Sequence, residues 1–142
     1  MTPILCIVLA VAEGDMLTAR CEQQVLRVQV AAVDAPKATQ PFADKSRQAL
    51  SQLCLDEQAV LRIEGKGANG RTVAHVDCHG QNVSEFLVSR GLAWATGQNL
   101  GAAELKKLEE AARAAKVGLW ADPAAMAPWE WRKSHGAKGT RS

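Results

Sequence analysis

The chain has 142 residues, 47% of them apolar, which is enough for one hydrophobic core and short for two ordinary domains. Its 17 basic and 15 acidic residues give a formal charge of +2, but Arg132, Lys133, Lys138 and Arg141 close the chain with no acid after Glu130. Without those four cations the body carries 13 basic against 15 acidic residues, net −2, which excludes the overall basic footprint of a strong nucleic-acid binder and leaves any such contact local.

In chain order, "PILCIVLAVA", residues 3 to 12, reads as a strand. A signal remnant is the competing reading, but the run is short, has no basic flank, and cleavage after Ala12 would remove the natural partner of "MLTARC", residues 16 to 21. No apolar run approaches the roughly 18 residues of a membrane span. With Glu13 and Gly14 as the two central turn residues, opposed partners sum to 27, as Cys6 and Cys21 do. Directly opposed residues have Cβ atoms about 4.5 to 5.5 Å apart, close to disulfide reach. Residues 25 to 33 read as the third strand of a meander.

"QPFADKSRQALSQLC" predicts an amphipathic helix, with Pro41 at its first position and Phe42, Ala49, Leu50 and Leu53 on one face. Cys54 ends this helix and Cys78 ends a later strand, so a second bridge stands open against four buried free thiols. The even cysteine set favours an exported protein, periplasmic or secreted, although no signal is evident in the chain. None of the cysteines has the CxxC spacing of a zinc site.

"QAVLRIEG" and "RTVAHVDC" are two further strands around the glycines of "KGANG". His75 and His79 stand four apart, which suits a metal pair on a helix, but this segment reads as a strand entering a turn. Asn82 followed by Glu85 is a capping-box-like start for "VSEFLVSR", which Gly91 stops. The last predicted helix runs from about Ala102 to Lys116, with Leu105, Leu108, Ala112 and Ala115 on one face. Trp94 reads as core packing rather than a face for a nucleobase, and Trp120, Trp129 and Trp131 as anchors of the C-terminal segment. Residues 1 to 131 then form one domain, and 132 to 142 a basic, polar tail.

Five short strands with a helix between the third and fourth predict an α+β fold: a small five-stranded barrel of the oligonucleotide and oligosaccharide-binding (OB) kind with about three helices. Periodicity alone allows other α+β arrangements. The order and spacing of "AEGDMLTA", "VDAPK", "NGRTVAHV", "FLVSRGLAW", "AKVGLW" and "PWEWRK", spanning about residues 3 to 132, resembles the staphylococcal nuclease, or thermonuclease, family.

The resemblance implies a calcium-dependent phosphodiesterase acting on DNA and RNA, with single-stranded nucleic acid as partner. Such chemistry needs hard oxygen ligands, a carboxylate to activate water, and two arginines facing the charge that develops on the phosphoryl oxygens. Carried over by position, Asp15 and Asp34 match the metal-binding aspartates, the backbone carbonyl of Ala35 a further ligand, and Arg71 one phosphate-binding arginine. Two positions depart. Gln29 stands where the other catalytic arginine is expected, five residues before Asp34, and Lys37 stands where the general-base glutamate is expected, three residues after it.

Glutamine brings no charge to a phosphorane, and an ammonium accepts no proton. Losing a general base costs about 10²- to 10⁴-fold in rate and losing a charge-stabilising donor about 10²- to 10³-fold. The family pattern sets three carboxylates against two arginines. Here Asp15 and Asp34 face Lys37 and Arg71, a net charge of zero that weakens any calcium site and lets the ammonium stand in for the cation. The chain also has no tyrosine to stack a base. Three readings follow: an impaired nuclease relative that keeps weak nucleic-acid, nucleotide or partner binding; a working metal-dependent nuclease with a remodelled site, drawing on Glu13 and Lys37; and a protein-binding barrel.

Overall fold

A computed structural model describes residues 2–37, 39–97 and 101–136. Strands β1 (Pro3–Glu13), β2 (Met16–Cys21) and β3 (Gln24–Val30) form an antiparallel meander. A two-residue strand β4 (Val33–Asp34) leads to helix α1 (Ala43–Cys54), after which β5 (Gln58–Lys66) pairs with the free side of β1. Strand β6 (Thr72–Cys78) pairs antiparallel with β5 and parallel with β3, through Val28 opposite Thr72 and Val30 opposite Ala74. That last pairing closes a five-stranded barrel of mixed direction, the predicted OB-type α+β fold.

Alternation builds the barrel interior. Leu17, Ala19 and Cys21 of β2, Val28 and Val30 of β3, and Thr72, Ala74, Val76 and Cys78 of β6 all point inward and are buried. The predicted third strand is shorter than its apolar run, because Ala32 adopts a positive φ of 69° and breaks it. The chain re-forms as β4 against β8 (Trp94–Ala95), with Asp34 opposite Trp94. This kink carries Asp34 back toward the β1–β2 turn.

That turn also differs from expectation. Glu13 pairs with Met16, so Gly14 and Asp15, not Glu13 and Gly14, are the central residues. Two bulges, between Val8 and Ala10 and between Val11 and Glu13, each shift the register by one and restore Cys6 opposite Cys21. Gly14 is required here, since a Cβ would come within 2.6 Å of the Ser46 Cβ and 3.0 Å of the Ala35 Cβ. Only a glycine lets the turn tuck beneath α1.

Both cysteine pairs are bridged: Cys6 to Cys21 within the meander, and Cys54 to Cys78 between α1 and β6. Helix α1 starts two residues later than predicted, because Phe42 caps it in the left-handed region and leaves Pro41 outside. A two-residue strand β7 (Gln81–Asn82) folds back antiparallel on the end of β6 and leads into α2 (Val83–Ser89), where the Asn82 Oδ1 accepts the Glu85 N–H at 2.9 Å. Helix α3 (Ala102–Ala115) packs on α2, and its Leu105 and Ala112 are buried. Ala115, predicted to share that face, is exposed, whereas Glu109 is only 2% exposed and accepts the Ala95 N–H of β8 at 2.9 Å.

A short α4 (Pro128–Trp131) continues into a π-helical turn, Arg132–Gly136. Residues 137–142, the rest of the basic tail, lie outside the described residues. Among the described residues no helix is long and apolar enough to cross a membrane.

Candidate functional site

The β1–β2 turn and the loop after β4 converge on one side chain. Asp15 is fully buried, and its Oδ2 accepts the Ala35 N–H at 3.0 Å. The Lys37 Nζ donates to both Asp15 oxygens, at 2.7 and 2.6 Å. It also lies 3.2 Å from the Asp34 Oδ1 and 3.8 Å from the Glu13 Oε1. One ammonium therefore faces three carboxylates, and it points into the site rather than out to water.

The backbone is tied to the same place. The Asp15 carbonyl accepts the Val30 N–H at 2.9 Å and, more weakly, the Gln29 Nε2 at 3.4 Å. Buried Gln40 accepts the Lys37 N–H at 3.1 Å and donates to the Met126 carbonyl at 2.6 Å, linking the Lys37 loop to the segment that enters α4.

A cavity of about 800 Å³ opens on this corner, lined by Glu13, Gln29, Asp34, Lys37 and Arg71 among others. The Arg71 Nη1 donates to the Gln29 Oε1 at 3.3 Å, so those two residues form one wall. Of the residues singled out in the sequence, Asp15, Gln29, Asp34, Ala35, Lys37 and Arg71 are thus brought together, with Asp15 and Ala35 behind the cavity and the other four lining it.

Sequence reasoning missed two of the lining residues. Trp129 and Arg132 line the same cavity, and the Arg132 Nη2 reaches the Asp34 Oδ2 at 3.6 Å. Glu13, Asp15 and Asp34 against Lys37, Arg71 and Arg132 leave this corner neutral, as the four-residue count had it.

A calcium ion takes roughly six to eight oxygen ligands at about 2.3–2.6 Å. The Lys37 Nζ already lies 2.6 Å from one Asp15 oxygen and 2.7 Å from the other, where such an ion would sit. Two cations cannot share the point, so the donors do not fit calcium while Lys37 holds this position. Among the described residues no group of three or more His, Cys, Asp or Glu side chains is arranged to hold a metal ion. His75 and His79 turn to separate carboxylates, Glu64 at 2.8 Å and Glu57 at 3.4 Å. Trp94 is 5% exposed and packs edge-on against Trp120 and Trp129, with centroids 5.0 and 6.4 Å away.

The closed OB-type barrel and the polar cavity lined by Arg71 and Arg132 define the architecture of the site. Residues 27–122 match the family model described as staphylococcal nuclease homologue, and the chain belongs to that family. It is 30% identical over 139 residues to a micrococcal nuclease of Shigella flexneri, covering 89% of this chain and 79% of that protein. It is 34% identical over 129 residues to an uncharacterized endonuclease of Haemophilus influenzae, covering 90% and 72%. An uncharacterized 38.1 kDa protein of Capnoides sempervirens is 35% identical over 108 residues, which are 76% of this chain but 32% of that protein.

Proposed function

We propose that this chain is a nuclease-family domain whose phosphodiester hydrolysis is impaired and which retains binding of single-stranded nucleic acid or nucleotides. The observation that carries this reading is the Lys37 ammonium at 2.6–2.7 Å from Asp15 and 3.2 Å from Asp34. By resemblance, those carboxylates would hold calcium and residue 37 would take a proton from water. An ammonium at that point removes the base and competes with the cation. Gln29, by resemblance in an arginine's place, brings a hydrogen-bond donor without charge. Arg71 remains to hold a phosphate oxygen. The two disulfides support an exported location.

A second reading, a working metal-dependent endonuclease, draws support from Glu13. Its carboxylate lines the cavity beside Asp34 and Lys37 and is placed to serve as a substitute base.

The test is the pair Gln29→Arg with Lys37→Glu. Under the first reading the parent is silent, and the double variant gains calcium-dependent cleavage of single-stranded DNA by at least ~10²-fold, the smaller of the two separate losses. The losses need not multiply, because residues of one constellation act together. A parent that already cuts, and is slowed by the same substitutions, would support the Glu13 reading instead.

A further inference from the structure

We propose that the C-terminal element, α4 and the turn after it, gives this chain a metal-free contact with single-stranded nucleic acid, in which Arg132 and Arg71 flank one phosphodiester and Trp129 stacks a neighbouring base. The inference rests on the nucleic-acid-binding reading above and adds its residues and its independence from a cation. The element lies beyond residues 27–122, the span of the family model.

Three observations carry it. First, Arg132 supplies a second guanidinium, besides that of Arg71, to a cavity where residue 29 has none. Its pairing with Asp34 is a single contact at 3.6 Å from a side chain half exposed. The other oxygen of Asp34 already has Lys37 at 3.2 Å, so a phosphate can draw Arg132 away without stranding the carboxylate.

Second, Trp129 is 38% exposed and forms the wall common to this cavity and a neighbouring one of about 600 Å³, which Trp94, Trp120, Lys106 and Arg113 also line. One side of its ring is set edge-on against buried Trp94, which fixes the plane, and the chain has no tyrosine to do this work. Guanidinium and aromatic face side by side is the arrangement that holds a single strand through backbone charge and base stacking.

Third, the element is held in register with the carboxylate corner. Buried Gln40 joins the Lys37 backbone to Met126, two residues before Pro128 starts α4. Lys37 is a cation fixed covalently beside Asp15 and Asp34, so the corner is neutralised without an added ion.

The experiment is fluorescence anisotropy with labelled oligo-dT and oligo-rU of about ten nucleotides, titrated with the full chain at low salt, in chelator and in calcium. Saturable binding in chelator, equal to that in calcium, is expected for at least one of the two strands, and the tighter one identifies the natural sugar. Trp129→Ala and Arg132→Ala should each weaken binding ~10-fold, and Arg132→Ala should also lower the salt slope by about one. Arg132→Lys should keep the slope while losing affinity, which a merely structural residue would not do. Thermal midpoints of the variants confirm that they are folded. Binding that appears only with calcium, no binding to either strand, or variants that bind like the parent would overturn the proposal. Metal-dependent cleavage by the parent would instead overturn the impaired-nuclease reading, and leaves the chelator arm to judge this one.

Discussion

Lys37→Ala is expected to destabilise the chain by about 3–5 kcal/mol in chelator, the cost of leaving a buried charge without its partner. Asp15 is fully buried, and among the described residues the remaining hydrogen bond to its carboxylate is from the Ala35 N–H. Glu13 and Asp34 would then repel it across a corner that had been neutral. For a domain of this size the loss corresponds to a fall in thermal midpoint of about 10 °C or more. Calcium should restore little of it, since among the described residues no three acidic side chains are arranged to hold a metal ion. The parent should show no calcium response. Differential scanning calorimetry of both proteins, with calcium and with chelator, reads all four values. A loss below about 1 kcal/mol would class the lysine with ordinary surface ion pairs and contradict its role as the resident cation.

The second large effect concerns the disulfides. Cys6→Ala with Cys21→Ala opens a link of sequence separation 15, and Cys54→Ala with Cys78→Ala one of 24. Chain-entropy arguments assign about 3 kcal/mol to each. Together they approach about 6 kcal/mol, a large part of the roughly 5–15 kcal/mol that holds a typical domain folded. The chain lacking both is expected to be unfolded or nearly so at 37 °C, and each single-bridge variant to show a lower guanidinium midpoint with a similar slope. The Cys54–Cys78 bridge should matter more for α1, because it ties the helix to β6, whereas Cys6 and Cys21 sit on strands already joined by a ladder. Midpoints unchanged within about 1 kcal/mol for either pair would mean that the barrel needs no staple there.

Strand alternation and glycine punctuation made the strands legible, because they report the pleat and the turns directly, whereas their closure into a barrel was legible through the family resemblance. The Cys6–Cys21 pairing was legible through an argument only partly right. The turn is one residue later than expected, and two bulges, which no local pattern announces, cancel the difference. Phe42 at positive φ is equally silent in the sequence, so Pro41 looked like a helix start. The family resemblance brought Asp15, Gln29, Asp34, Lys37 and Arg71 to one corner, but not the direction of the Lys37 side chain, which depends on a kink at Ala32 and on Gln40. Arg132 was read into a polar tail, because one arginine after "PWEW" has no periodicity to place it. Glu109 was overlooked for a related reason: a charged residue inside an apolar stripe is ordinarily solvated, and its burial depends on the distant Ala95 N–H.

The most direct measurement is cleavage of single-stranded DNA and RNA by the parent chain in calcium, manganese or chelator, with Asp34→Ala prepared in parallel as the blank for contaminating nuclease. With Lys37 seated between Asp15 and Asp34, the expected result is no cutting above the blank under any condition. Metal-dependent cutting that disappears in Asp34→Ala would show that the ammonium yields its place to a metal ion, and would contradict the account.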